Sequence, residues 1–148
     1  MLARFETFTV LINRISRNIR RIKNQEMAEY ELRSPHISCL YYLYVSDGLT
    51  ASELCELCEE DKATISRSLD FLEKNGYITR EPRGERRYKS PLLLTEQGAL
   101  VAEKIAAKIN CVLDELSLGL SDAERASFYR SLAIISQKLE ELAGNREN

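Results

Sequence analysis

The sequence has one histidine and four cysteines in 148 residues. It has no apolar run near the roughly 18–20 residues that cross a bilayer. The first ten residues, Met1 to Val10, combine Arg4 with Glu6 and show no small-residue cleavage site, so no secretory leader is expected. The expectation is a cytoplasmic protein with no membrane partner. Cys39, Cys55, Cys58 and Cys111 are too few for a disulfide framework in a chain this long. One histidine, His36, with no Ser or Cys motif around it, provides no activated nucleophile, which argues against an enzyme. Cys55 and Cys58 form a C-x-x-C, yet no second such pair completes a tetrahedral zinc site. The βαβ pattern of a thioredoxin-like redox fold is also missing. No metal and no cofactor are expected.

Apolar residues make up 44% and charged residues 30%, enough for one ordinary domain with a buried core and a wet surface. The net charge of −2 hides a block pattern. Residues 1–25 carry +5, 26–60 carry −7, 61–95 carry +3 and 96–148 carry −3. DNA binding needs local positive charge facing phosphates rather than a basic total. Taken alone, charge blocks are equally well read as solvated faces.

Apolar spacing predicts a mainly helical chain. Phe5, Phe8, Ile12, Ile15, Ile19 and Ile22 recur in steps of three and four on a long first helix, with Arg14, Arg17, Arg20, Arg21 and Lys23 on its other sides. A second helix is expected to start at Ser34-Pro35, with Ser34 as N-cap, to run through Ile37, Leu40, Tyr41 and Tyr44 and to stop near Asp47-Gly48. Thr50-Ala51-Ser52-Glu53 is a capping box opening a short helix that holds Leu54 and Leu57. Asp61 caps a fourth helix with Ile65, Leu69 and Leu72 on one face, ending at Asn75-Gly76. The period then changes: Tyr77-Ile78-Thr79 and Tyr88 to Leu94 read as strands of a hairpin around Pro82-Arg83-Gly84-Glu85. Pro91 makes the second strand an edge or a bulge. Helical spacing resumes at Val101, Ile105, Ile109, Val112 and Leu116. After Gly119, the box Ser121 to Glu124 opens a last helix carrying Phe128, Leu132, Ile135, Leu139 and Leu142.

Three short helices followed by a hairpin make a winged helix-turn-helix. With Ile65, Leu69 and Leu72 inward, the fourth helix turns Ala63, Arg67, Asp70 and Lys74 outward, and Lys62, Thr64 and Ser66 sit at its exposed first turns. The first residues of a recognition helix reach base edges in the major groove. Arg pairs with guanine through two hydrogen bonds, and Ser or Thr bonds several bases. Arg80, Arg83, Arg86, Arg87 and Lys89 crowd around the hairpin turn, a self-repulsion that folding does not require but a phosphate-lined groove does. The competing readings are a plain amphipathic helix and a merely soluble loop.

Leu49 to Leu54, Asp61 to Arg67, Leu72 to Ile78 and Leu94-Thr95-Glu96-Gln97-Gly98 together resemble the MarR family of regulators. The resemblance covers nearly the whole chain. It implies dimerisation through the first and last helices, residues 1–32 and 96–148, around a DNA-binding lobe of residues 33–95. Phe5, Phe8, Ile12, Phe128, Ile135 and Leu139 are the expected dimer contacts. The implied partner is a palindromic double-stranded operator, read by Thr64, Ser66 and Arg67, with Ser52, Lys62, Arg83, Glu85, Arg86, Arg87 and Lys89 completing the contact set. It also implies a repressor released by a small lipophilic or phenolic effector, for which His36 and Tyr41 are candidate pocket residues. The sequence departs from the family pattern in three places. Glu85-Arg86-Arg87 stands for the usual Asp-x-Arg of the wing, Glu59 replaces a turn glycine, and Cys58 replaces a large apolar residue. A non-glycine at position 59 must take another turn geometry or accept strain. Cys55 and Cys58 read best as small packing hydrophobes. The alternatives are a thiol-based redox-sensing regulator of the same fold, using these residues, Cys39 or Cys111, and a protein-interaction module without DNA binding.

Overall fold

The computed structural model describes residues 4–46, 48–80 and 89–144, the side chains of 4–6 excepted. The chain divides into two compact units, Met1–Lys108 and Ile109–Asn148. The architecture is mainly α with one small antiparallel hairpin. It comprises α1 (Arg4–Glu26), a 3-10 turn (Ala28–Tyr30), α2 (Ser34–Val45), α3 (Ala51–Cys58), α4 (Lys62–Lys74), β1 (Ile78–Arg80), β2 (Leu92–Leu94), α5 (Glu96–Ser117) and α6 (Asp122–Gly144). None of the described helices is long and apolar enough to cross a membrane.

The core of the first unit is built where α2, α3 and α4 meet. Ile37, Cys39, Leu40, Leu54, Ile65, Leu69 and Leu72 are buried there, with Leu92 of the hairpin and Ile105 of α5. Each large aliphatic removed from water in this way stabilises the fold by roughly 1.5–3 kcal/mol. Met27 and Leu32, on either side of the 3-10 turn, are also buried; periodicity gave no hint of them because they lie between helices.

Local signals set the helix starts. At α3, the Thr50 hydroxyl accepts the Glu53 amide and Glu53 accepts the Thr50 amide at 2.7 Å, so two otherwise orphaned donors are satisfied. Asp61 caps α4 by accepting the Thr64 amide at 2.8 Å. At α6, Ser121 and Glu124 form the expected reciprocal pair. The second helix departs from expectation. Its N-cap is Arg33, one residue before Ser34. The Ser34 amide is taken by the Asn24 side chain at 2.7 Å, a tertiary contact that fixes the helix start. On α2, Cys39 and Leu43 are buried with Ile37 and Leu40, while Tyr44 is exposed. Likewise, Leu57 on α3 is 41% exposed.

The hairpin pairs Ile78 with Leu94, Thr79 with Leu93 and Arg80 with Leu92. Its second strand is shorter than its sequence implies and begins just after Pro91, whose nitrogen cannot donate to a ladder. The Leu92 amide donates instead to the Leu49 carbonyl at 2.9 Å, anchoring the hairpin to the segment before α3.

Glu59 ends α3 in the left-handed conformation, φ 52° and ψ 42°, its amide reaching the Cys55 and Glu56 carbonyls. It therefore keeps the geometry that suits glycine. A side chain there costs about 1–2 kcal/mol, part of which glycine's larger entropy loss offsets. Glu59→Gly should raise stability by up to about 1 kcal/mol. A denaturant midpoint unchanged or lowered at equal m-value would show that the strain is not felt.

Candidate nucleic-acid interface

The fourth helix presents two sharply different faces. Ile65, Ser68, Leu69 and Leu72 are buried, and Lys62, Ala63, Arg67, Asp70 and Lys74 are exposed. Thr64 and Ser66 are half-buried at its first turns. This alternation is the amphipathic period expected of a helix seated on a core by one stripe.

The first turns are wired together. The Thr64 hydroxyl donates to Asp61 Oδ2 at 2.8 Å and accepts from Arg67 Nη2 at 3.3 Å. Asp61, an exposed carboxylate, is held below the usual carboxylate range, first by the Thr64 amide and then by its hydroxyl. The chain Asp61–Thr64–Arg67 lays the guanidinium back along the start of α4, over the end where helix amides favour a phosphate. Thr64 is thereby committed to the cap in the free protein. Its hydroxyl proton is used, and it offers a base an acceptor lone pair and its methyl group.

Ser52, on the first turn of α3, is exposed, as is Lys89 just before β2. Arg83, Glu85, Arg86 and Arg87 lie outside the described residues. Arg80, grouped by sequence with the wing cations, pairs with Glu73 at 3.2 Å, with only 15% of its side chain exposed. Its position braces β1 against α4. The pairing was not legible in the sequence, although the Asn75-Gly76 reversal (Gly76 φ +78°) brings the strand back over the helix. Between α3, α4 and β1 lies a shallow hollow of about 110 Å³ lined by Ala51, Cys55, Lys62, Ser66, Asp70 and Arg80 among others.

The candidate effector residues lie elsewhere. His36 stacks on Phe71, ring centroids 4.4 Å apart and planes 8° from parallel. Its Nδ1 accepts the Arg33 amide at 3.1 Å, so this ring has a structural task at the start of α2. Burial, followed by the nearby Arg33 charge, lowers its pKa. Tyr41 meets Tyr42 edge to face at 5.6 Å. A spacing of five residues sets His36 and Tyr41 about 140° apart around α2, and neither lines the hollow between α3 and α4.

The residues expected to form a dimer are uncovered in the single chain. Ile12, Phe128, Ile135 and Leu139 are exposed and Phe8 is half-buried; the side chain of Phe5 is outside the described set. Helix α6 contains no buried residue.

Residues 30–87 match the family model described as the MarR family. An HTH-type transcriptional regulator of Bacillus subtilis, YwoH, is 26% identical over 117 residues, which is 79% of this chain and 85% of that protein. The structure of NMB1585, a MarR family regulator from Neisseria meningitidis, superimposes with a TM-score of 0.84 at 19% identity, covering 98% of this chain and 99% of that one. The S. aureus MepR–DNA complex superimposes at a TM-score of 0.80 and 22% identity, over 89% of this chain and 97% of that one. At those identities the two structures speak to the fold, a winged helix, while the family match falls on the helices and turns that carry the exposed face of α4. Residues 30–87 are thus similar to the MarR family, and the chain as a whole shares the winged-helix fold of the two solved structures.

Proposed function

We propose that this protein is a cytoplasmic homodimeric repressor that binds a palindromic operator and is released by a small effector. The observation that carries the reading is the exposed, pre-wired start of α4, with Arg67 held over the helix N-terminus by Thr64 and Asp61. Lys62, Thr64, Ser66 and Arg67 would enter the major groove, Ser52 would touch the backbone, and Lys89 with Arg83, Arg86 and Arg87 would follow the flanking groove, Glu85 orienting Arg87. Residues 33–95 would act as the reading lobe. Segments 1–32 and 96–148 would form the dimer, whose two-fold axis sets the operator symmetry. Support for the dimer comes from the apolar stripe Leu11, Ile12, Ile15 and Ile19 on α1, all exposed in one chain, together with the basic charge of that helix and the net acidity of residues 96–148. A lipophilic or phenolic effector would bind between dimer and lobe, beside the half-buried rings of His36 and Tyr41.

The test is Arg67→Ala, assayed on an operator selected from random duplex DNA. Loss of a base contact should weaken binding by about 1–3 kcal/mol and relax the preference at one base pair. Equal weakening on every sequence would reduce Arg67 to a backbone contact and remove the basis for this readout.

A further inference from the structure

The hydroxyl of Thr64 has one proton and two lone pairs. Its proton goes to Asp61 Oδ2 at 2.8 Å, and one lone pair takes Arg67 Nη2 at 3.3 Å. The other carboxylate oxygen, Oδ1, takes the Thr64 backbone amide at 2.8 Å. An ionised carboxylate only accepts and a guanidinium only donates, so the direction of each bond is fixed by chemistry. What Thr64 has left to offer is a single lone pair.

That remainder decides what the hydroxyl can recognise. A phosphate oxygen of ionised DNA backbone accepts and does not donate, so a lone pair finds no partner there. In the major groove, adenine N6 and cytosine N4 are amine donors, whereas guanine O6 and thymine O4 are acceptors. Only the amines pair with the free lone pair. Turning the hydroxyl round to donate would surrender its bond to the Asp61 carboxylate, a charge-assisted bond roughly twice as strong as a neutral one. Arg67 has five N–H donors, so holding Thr64 through one of them leaves others for a guanine.

We propose that Asp61 sets the hydrogen-bonding polarity of Thr64, so that Thr64 selects an amino base, adenine or cytosine, at one position of each operator half-site and rejects guanine and thymine there. The proposal rests on the reading of α4 as the DNA-contacting helix and gives its N-cap a positioning role. Asp61 acts through Thr64 and touches no base itself.

Replacing one oxygen by an amine reverses the polarity. In Asp61→Asn the Thr64 amide still demands an acceptor, so the side-chain carbonyl takes the place of Oδ1 and the amine that of Oδ2, 2.8 Å from Thr64 Oγ1. The cap survives, since Asn and Asp are about equal at this position. The amine now donates to the hydroxyl, and together with Arg67 it fills both lone pairs. The hydroxyl proton becomes the free group, and it pairs with guanine O6 or thymine O4.

The experiment selects sites from random duplex DNA with the full-length wild type, Thr64→Val and Asp61→Asn, and measures relative affinity for the four bases at every half-site position. Thr64→Val keeps the shape and removes the hydroxyl, so it marks the position that Thr64 reads; Arg67→Ala marks the separate position of Arg67. At the Thr64 position the wild type should favour adenine or cytosine by about three- to tenfold, the worth of one hydrogen bond. Asp61→Asn should favour guanine or thymine there by a similar factor. Ratios between bases cancel the uniform change in affinity that follows from removing a charge near phosphates, and a purely structural role of the cap would leave them unmoved. Thermal melting checks the fold. Should Asp61→Asn not fold, Asp61→Ser, a cap with a single oxygen, frees the Thr64 hydroxyl and should flatten the preference. A wild-type preference for guanine or thymine at this position, or an unchanged preference in Asp61→Asn whatever its overall affinity, would overturn the proposal and leave α4 as the reading helix. Thr64→Val altering no position would remove Thr64 from the bases and overturn it as well. A wild type that selects no duplex sequence would end the proposal together with the DNA-binding reading.

Discussion

Gly98→Ala should destabilise the protein by about 3 kcal/mol or more, toward the upper end of overpacking effects. Gly98 lies buried in the first turn of α5, directly against the backbone of Tyr77. A methyl group there would overlap the Tyr77 carbonyl oxygen and stand 2.8 Å from the carbonyl carbon. The atoms it meets belong to backbone, so no rotamer change relieves the clash. That backbone is itself pinned. The Tyr77 amide donates to the Leu72 carbonyl at 2.9 Å, and the Tyr77 carbonyl accepts the Thr95 amide at 3.1 Å. Thr95 closes the joint by donating its hydroxyl to the Gly76 carbonyl at 2.6 Å while accepting the Gly98 amide at 3.0 Å. Close-packed interiors transmit such strain rather than absorb it. The expected outcome is a fall in Tm of roughly 10 °C. Gly119→Ala, whose added carbon would meet no atom within 4 Å, serves as the control and should change little. A loss below about 1 kcal/mol for Gly98→Ala would mean that α5 can slide off Tyr77, contrary to the rigid joint described.

Ile135→Asp combined with Leu139→Asp should abolish the proposed dimer. These side chains are 38% and 49% exposed in the single chain, one helical turn apart on α6. If they meet the partner, two residues from each subunit lose burial worth at least about 1.5 kcal/mol apiece, and four carboxylates would have to be desolvated. The dissociation constant should rise by at least about four orders of magnitude. Since α6 contributes no buried residue of its own, the variant should keep the helical content of the wild type. An interface larger than about 2,000 Å² is expected of an obligate dimer. Sedimentation at micromolar concentration checks both proteins. A wild type that sediments as a monomer would sink the dimer, and so would a double variant that stays dimeric.

The sequence displays what is decided within a few residues. The boxes at Thr50–Glu53 and Ser121–Glu124, the Asp61 cap and the Gly76 stop are hydrogen-bond and dihedral demands met inside one turn of chain, so composition reveals them. The two faces of α4 are equally legible, because its apolar residues fall on one stripe among charged ones. Helix α2 is different. Its segment Ile37 to Val45 is apolar or aromatic nearly all round, so helical spacing cannot choose between Tyr44 and Leu43 or foresee that Cys39 is buried. What packs against α2 makes that choice.

The wing cations show a similar division. The crowding of positive charge is visible in the sequence, but the ion pair of Arg80 with Glu73 arises only once β1 folds back over α4. Glu59 shows it again: its departure from glycine is plain in the chain, and only the structure reveals that it keeps the left-handed turn. The sequence determined the helices, their caps and the exposed face of α4, because backbone hydrogen bonding and side-chain period act locally. Tertiary structure alone decided which buried groups touch, because those contacts depend on how helices pack, and short-range spacing carries no record of that.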